Sequence, residues 1–97
     1  KKTPYTFVLY NGTDVTGFTK TYEATLKASV ASAVIVDRDN AAKRDYDTSM
    51  LVDLSGTKSA VAAELAKSLG MAVSTLPAGE TKPMGADFLI ILGKDKK

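Results

Sequence analysis

The segment Ser55-Gly56-Thr57-Lys58-Ser59 is the part of this sequence that comes closest to a known binding motif. It lies between a predicted strand and a predicted helix, where free backbone N–H groups, the helix dipole and the Lys58 ammonium group converge. A phosphate loop of the GxxxxGK[ST] type is absent, because Thr57 separates Gly56 from Lys58 and the upstream glycine is missing. We interpret the segment as a helix cap, with a looser anion site as the alternative.

An acidic segment from Asp37 to Asn40 resembles the opening of a calcium-binding loop. Counted from Asp37, the sixth position is Ala42, where glycine is needed, and the twelfth is Thr48, where a bidentate glutamate is needed. These departures exclude an EF-hand. We predict a solvated loop with internal ion pairs and expect neither a metal ion nor another cofactor.

Two tyrosines and one glycosylation sequon are the remaining candidates. Tyr46 lies in a polar loop, so we predict that it is exposed and able to stack on a sugar ring, whereas Tyr10 suits a half-buried strand position equally well. The sequon Asn11-Gly12-Thr13 also fits a strand-to-helix turn, and we favour the turn.

The composition excludes several classes of enzyme. The chain has 97 residues with no histidine and no cysteine, which rules out Ser–His–Asp triads, Cys–His pairs and Cys/His zinc sites within it. The sequence does not fix any pair of carboxylates at a spacing that would indicate an acid–base dyad. We therefore predict one non-catalytic domain over residues 1–97, excised from a longer protein.

The net charge of +2 is concentrated in the two ends of the chain. Five of the 13 basic residues lie in the segments 1–2 and 94–97, so acidic residues outnumber basic ones in between. The basic patch with interleaved aromatic residues that a nucleic-acid-binding module needs is missing, and we expect no nucleic-acid partner. No apolar run reaches the length of a membrane span, so we also expect no direct membrane insertion.

Strand-like and helix-like patterns alternate along the chain. Strands are predicted at residues 6–11, 33–37, 48–55, 71–76 and 86–92. A first helix follows a cap at Thr13 or Asp14 and carries an apolar stripe from Val15 to Val30. A second helix is opened by Ser55, Gly56 and Thr57 and stops at Gly70.

This β-α-β-β-α-β-β order predicts an α/β (α+β) two-layer sandwich, with a mixed four- to five-stranded sheet and two helices on one face. The run 86–92 is the most apolar and should be the central strand, with Phe88, Ile90 and Leu92 on one face and Leu89 and Ile91 on the other. Because two helices cover only one face, we expect the other to be partly exposed or covered by a partner.

A weak internal repeat links the two halves. The stretches 8–14 and 52–58 both run from a strand through a small polar residue and Gly-Thr to a charged residue before a helix. The repeat predicts two related βαβ units with both helix N-termini at comparable positions.

Four stretches of the sequence resemble the LytR C-terminal domain, which follows the catalytic part of many LytR-CpsA-Psr family cell-wall proteins. They contain an N-G-T turn with a glycine before the helix, a strand preceded by tyrosine and threonine, an A-x-x-L-A-x-x-L-G helix, and a closing A-D-hydrophobic strand that ends in L-G-x-D. Residues 8–18, 46–52, 62–70 and 83–95 carry them, so the resemblance extends from about residue 6 to 95. Asp14, at a position where the family often has glycine, and the lack of glycine in 28–33 are departures.

The resemblance implies an accessory module in the bacterial cell envelope, outside the cytoplasm, attached to a membrane-anchored protein whose catalytic domain is separate. None of the family's catalytic motifs is in this chain. Two interpretations follow: a module that binds cell-wall glycan or an anionic glycopolymer, or a protein-interaction or spacer domain that docks on the catalytic domain or self-associates. For ligand binding, the candidate residues are Ser55, Gly56, Thr57, Lys58, Ser59 and Tyr46.

Overall fold

The order of elements follows the predicted β-α-β-β-α-β-β pattern. The computed structural model describes residues 5–30, 33–83 and 85–96, so Lys1, Lys2 and Lys97 of the basic ends lie outside the described residues. The elements are β1 (Tyr5–Asn11), α1 (Phe18–Ser29), β2 (Ala33–Asn40), β3 (Met50–Asp53), α2 (Ser59–Leu69), β4 (Ala72–Ser74) and β5 (Phe88–Leu92), with a 3-10 turn at Lys94–Lys96.

One mixed sheet contains all five strands in the order β2-β1-β5-β3-β4. β5 runs parallel to β1 and antiparallel to β3, which confirms the central position predicted from its apolar sequence. Phe88, Ile90 and Leu92 lie in the core under the helices, while Leu89 and Ile91 lie in a second core on the opposite face. The predicted division of this strand between two faces is therefore confirmed.

Both helices pack on the same face of the sheet. α1 contributes Phe18, Tyr22 and Leu26 to the first core, and α2 contributes the smaller side chains of Ala62 and Ala66. Small residues on α2 allow its backbone to lie close to the sheet. The predicted two-layer sandwich is confirmed.

The opposite face is covered at its centre by loops of the same chain. Ala41 and Tyr46 come from the β2–β3 loop, and Leu76 and Ala86 come from the β4–β5 loop; all pack with the Leu89 side of β5. The expectation of a partly exposed face agrees with the exposure of Val34 and Val36 on β2, but the centre of the face is covered by the two long loops, which supply a second layer of apolar contacts.

Exposed apolar side chains remain on the outer strand β2. Val34 and Val36 are 44% and 47% exposed, and β2 is hydrogen-bonded to β1 alone in the described sheet. The strand is also longer than predicted. It continues through Arg38 to Asn40, and Asn40 pairs with Asn11 at the end of β1. A register shift between Phe7 and Val8 accommodates this extension.

The first helix begins later than its apolar stripe suggests. α1 starts at Phe18, after Gly17 at φ 76°, and Val15 is 38% exposed outside the helix. Thr13 does not cap α1; its hydroxyl accepts from the Val15 N–H (3.2 Å) within a separate turn. The predicted cap at Thr13 or Asp14 is wrong because this side-chain turn competes with the helix for residues 13–16.

Two βαβ units with the same internal arrangement flank β5. In the first, β1 and β2 are parallel neighbours joined by α1; in the second, β3 and β4 are parallel neighbours joined by α2. Because β3 is antiparallel to β5 while β1 is parallel to it, the units point in opposite directions. The turns that precede α1 and α2 are thus equivalent in the two units and lie at opposite ends of the strands.

Candidate functional site

Asp53, the last residue of β3, organises the turn that leads into α2. Its Oδ1 accepts hydrogen bonds from the Ser55 N–H (3.1 Å), the Ser55 hydroxyl (2.7 Å) and the Gly56 N–H (3.2 Å). Its Oδ2 accepts the Lys58 N–H at 2.8 Å. Gly56 adopts φ 74°, a conformation that lets the chain fold around the carboxylate.

The helix-cap interpretation of this segment needs correction. α2 begins at Ser59, and among the described side chains none caps it with a hydrogen bond. Thr57 instead donates to the Ser55 hydroxyl oxygen from both its N–H (3.2 Å) and its own hydroxyl (3.1 Å). The turn is held by the residue that precedes it, Asp53, since an aspartate carboxylate can accept from several N–H groups at once.

The hydrogen bonds to Asp53 argue against the looser anion site that was the alternative interpretation of this turn. The N–H groups of Ser55, Gly56 and Lys58 already donate to Asp53. Burial on its own raises the pKa of Asp53, but the hydrogen bond from the Ser55 hydroxyl and those from the N–H groups of Lys58, Gly56 and Ser55 outweigh it and lower the pKa below its usual value. A negative charge is therefore already built into the turn, and a bound anion would be repelled by it.

Lys58 is also engaged with a carboxylate. Its Nζ lies 3.5 Å from Oδ1 of Asp87, just before β5. Oδ2 of Asp87 accepts the Thr6 N–H at 3.1 Å, and this bond, with the Lys58 charge, lowers the pKa of Asp87 against the opposing effect of burial. Lys58 thus helps to join the turn to β1 and β5 rather than standing alone as a cation.

A shallow cleft of about 500 Å³ opens beside this turn, at the carboxyl ends of β3 and β4. Its lining combines apolar side chains with hydroxyl groups, one carboxylate and one lysine: Val52, Asp53, Leu54, Gly56, Ser59, Val73, Ser74, Thr75, Leu76 and Lys82. Val73 is 46% exposed. A second pocket, of about 450 Å³, shares Leu54 and Lys82 with the cleft. The cleft can offer an apolar surface and hydrogen-bonding groups to one ligand.

The candidate binding residues are only partly brought together. Gly56 and Ser59 line the cleft, and Ser55 lines the adjoining pocket. Tyr46 is absent from the described lining of both. Sequence reasoning missed Val73 and Thr75, which lie on and just after β4, because the predicted βαβ unit does not indicate which side chains of β4 lie beside the turn before α2.

Tyr46 is buried, which contradicts its predicted exposure. It is 9% exposed, and its ring lies so close to Gly12 that a Cβ there would be 2.5 Å from Cδ2 of Tyr46. Its hydroxyl donates to Glu80 at 2.6 Å. Burial, reinforced by the Glu80 carboxylate, raises the pKa of Tyr46 to about 12. The ring therefore has a structural environment, and an exposed stacking surface is not found at this position.

Glu80 joins the two loops that cover the second face. Besides the Tyr46 hydroxyl, its carboxylate accepts the N–H groups of Ala42 (2.8 Å) and Lys43 (3.4 Å). Tyr10 makes a neighbouring link, donating to the carbonyl oxygen of Thr81 at 2.7 Å. Sequence reasoning missed Glu80, because its partners lie more than 30 positions away and no local pattern indicates them.

The sequon Asn11-Gly12-Thr13 forms a buried turn, as the sequence analysis favours. Asn11 is 3% exposed, and its side-chain oxygen accepts the Thr13 N–H (3.0 Å) and hydroxyl (2.6 Å). Its amide donates to the Val15 carbonyl oxygen at 2.7 Å. The side-chain amide is thus used inside the protein.

Other site types and the comparisons with known proteins add little. Within the described residues, no three or more histidine, cysteine, aspartate or glutamate side chains are grouped so that they could hold a metal ion. In the ranges 5–30, 33–83 and 85–96, no helix has the length and apolar character needed to cross a bilayer. No protein-family model, curated protein or solved structure matches the chain.

Proposed function

We propose that this chain is a non-catalytic binding module of the LytR C-terminal type, and that its cleft beside the Ser55–Ser59 turn binds cell-wall glycan. In this proposal the module acts outside the cytoplasm, in the envelope of a bacterium. It is attached there to a membrane-anchored protein of the LytR-CpsA-Psr type, whose separate catalytic domain it serves.

The composition of the cleft is the observation that carries the proposal. A sugar ring has an apolar face formed by its C–H groups and a rim of hydroxyl groups. The cleft offers Val73 and Leu76 as apolar surface and the hydroxyls of Ser59 and Thr75 at its border. Lys82 adds one cation for a carboxylate or phosphate substituent. Such a mixed lining suits a neutral or weakly anionic saccharide better than a compact anion.

The carboxylates around the cleft support a binding role over a catalytic one. Asp53 accepts four hydrogen bonds from its own turn, and Asp87 is tied to Thr6 and Lys58. Both have a lowered pKa. A general acid in a glycoside-cleaving site needs a raised pKa, so neither carboxylate is tuned for that role.

Contacts between the motifs support the resemblance. Gly12 of the first stretch lies against Tyr46 of the second. A Cβ on Gly93 of the last stretch would lie 2.5 Å from the carbonyl carbon of Thr48. Asp95 accepts the Ser49 N–H at 2.9 Å. Residues of three of the four stretches therefore contact one another in this chain, which is what the resemblance leads us to expect of them.

Cosedimentation with purified wall sacculi stripped of teichoic acid tests the glycan cleft. Val73→Asp places a charge in the cleft, while Val36→Asp is a matched control, since the two valines are 46% and 47% exposed on opposite outer strands. We expect wild type and Val36→Asp to sediment with the sacculi and Val73→Asp to lose about 80% or more of its binding. Equal binding by Val73→Asp and Val36→Asp would show that the cleft does not bind the glycan.

The second candidate function is a protein-interaction or spacer domain, and the exposed half of β2 favours it. An outer strand with free backbone groups can pair with another strand. Val34 and Val36 lie in this half, whereas Asp37 and Asp39 follow and discourage close pairing. Concentration-dependent dimerisation in sedimentation velocity, abolished by Val36→Asp but not by Val73→Asp, would favour this candidate.

A further inference from the structure

A groove of about 400 Å³ lies between α1 and β2, remote in the sheet order from the cleft at β3 and β4. Lys20, Glu23, Ala24 and Lys27 of α1 line it, together with Arg38 of β2. Spacings of three and four residues place the four α1 side chains on one face of the helix. Arg38 reaches the same face from the strand.

Charge in this groove is strongly positive for a chain whose central part is slightly acidic. Three cations surround the single carboxylate of Glu23. Glu23 pairs with Lys27, at 3.2 Å between Oε2 and Nζ, and with Arg38 through its other oxygen. Lys20 makes no ion pair with any described residue. The Glu23 carboxylate thus holds Lys27 and Arg38 side by side. The four charged groups of the groove together carry a net charge of +2.

The nearest acidic side chains on β2 belong to the other face of the sheet. Arg38 is in register with Leu9, whose side chain lies in the core under the helices. Asp37 and Asp39 are in register with Val8 and Tyr10, which lie in the core of the opposite face. Alternation along the strand therefore separates the arginine from its acidic neighbours.

We propose that this groove binds the phosphate groups of a linear anionic polymer. An arginine guanidinium has five N–H donors in a planar fork that matches phosphate oxygens, and a single Nη1 contact to Glu23 leaves others available. Lys20 and Lys27 supply further charge along the helix. Because the site lies on an exposed surface, each contact is weak, and useful affinity comes from several phosphates along one polymer.

The lining favours a soluble polymer over a membrane surface. Helices that bind membranes present large apolar side chains beside their basic residues. The exposed side chains described for α1 are lysine, threonine, alanine and serine. Only the identity of the polymer rests on the proposed function. The groove itself shares no described lining residue with the glycan cleft, so it can bind phosphate groups whether or not the cleft binds glycan.

An NMR titration of the whole chain with inorganic tripolyphosphate tests the groove. The groove variant is Lys20→Gln/Lys27→Gln, and the matched control is Lys43→Gln/Lys67→Gln, which removes the same charge from exposed lysines that are absent from the described lining of both the groove and the cleft. Glutamine is a good helix former, so both variants should fold. We expect wild-type shift changes to cluster at residues 20–27 and Arg38. The dissociation constant should rise about fivefold or more in the groove variant and less than about twofold in the control.

Three results would overturn the proposal. Equal weakening in both variants would show a response to net charge alone. Shift changes confined to Ser55–Ser59 would place phosphate at the other helix. Binding to phosphatidylglycerol vesicles without binding to tripolyphosphate would assign the basic groove to a membrane surface. Each result is independent of sedimentation with teichoic-acid-free sacculi, so failure of the groove and failure of the glycan cleft are distinguishable.

Discussion

The turn at Asn11–Thr13 and the turn at Ser55–Thr57 share a design and differ in environment. In each, a small polar side chain accepts two hydrogen bonds from the threonine two positions later, one from its N–H and one from its hydroxyl. Asn11 and Thr13 are buried, at 3% and 0% exposure, whereas Ser55 and Thr57 are exposed.

The difference comes from what lies over each turn. The β2–β3 loop packs on the first turn through the Tyr46 ring at Gly12 and through Arg44, whose Nε donates to the Thr13 carbonyl oxygen at 2.7 Å. The second turn lacks such a cover among the described residues and borders the cleft instead. The same turn chemistry is therefore buried and stabilising in the first unit, and in the second unit it leaves an exposed turn that borders the cleft.

Replacing the glycine of each turn should give the largest difference in stability between the two turns. In Gly12→Ala, the new Cβ would lie 2.5 Å from the Leu92 carbonyl oxygen, which belongs to the central strand and accepts the Gly12 N–H. We expect a loss of about 2–4 kcal/mol of unfolding free energy. In Gly56→Ala, no described atom lies within 4 Å of the new Cβ, and only the positive φ costs about 1 kcal/mol. Urea unfolding measures both; similar losses would contradict the distinction.

Removing the side-chain acceptors should give a smaller difference in the same direction. Asn11→Ala leaves the buried Thr13 N–H and hydroxyl without their acceptor, and we expect a loss of about 2 kcal/mol. Ser55→Ala changes an exposed residue, and Asp53 still accepts the N–H groups of the turn, so the loss should stay within about 0.5 kcal/mol. Thermal unfolding compares the two; a larger loss in Ser55→Ala would refute the assignment.

Low pH should remove the stabilising contribution of Asp53 to the second turn. The folded-state pKa of Asp53 is lowered by the hydrogen bonds from Ser55, Lys58 and Gly56, which outweigh burial. Its contribution to stability is therefore complete above the unfolded-state pKa of about 4 and is lost as the pH falls through the lower folded-state pKa. Amide shifts of the turn should titrate below pH ~4. Titration at or above that value would contradict the carboxylate's role, and Asp53→Asn should abolish the transition.

Much of the fold could be predicted because it depends on local patterns. The segment 86–92, with its uninterrupted apolar run at 88–92, indicated the central strand, and the spacing of Phe18, Tyr22 and Leu26 indicated the buried face of α1. Both helices begin later than predicted, because Asn11 and Asp53 hold the preceding residues in side-chain turns. The helical spacing of apolar residues gives no sign of such turns. Asp53 could have been identified from its position two residues before Ser55, since aspartate often accepts from the N–H two positions on.

The site was harder to predict because burial is decided at long range. Polar neighbours made Tyr46 look exposed, but Gly12 leaves room for its ring, and Glu80, 34 positions away in the sequence, accepts a hydrogen bond from its hydroxyl. The cleft likewise depends on the pairing of β3 with β4, which brings Val73 beside the turn at Gly56. The burial of Tyr46 has no signature in the spacing of residues, and the predicted βαβ unit indicates that β3 and β4 are neighbours but not which side chains line the cleft.

The most direct test of the central claim is an NMR titration of the chain with a soluble disaccharide fragment of cell-wall glycan. The account predicts shift changes at Gly56, Ser59, Val73 and Thr75, around the cleft, with those at Asn11–Thr13 remaining within experimental error. It also predicts that Val73→Asp removes these changes while Val36→Asp keeps them. Shift changes centred on the Asn11–Thr13 turn, or a response that Val73→Asp leaves intact, would contradict the assignment of structure to the first turn and binding to the second.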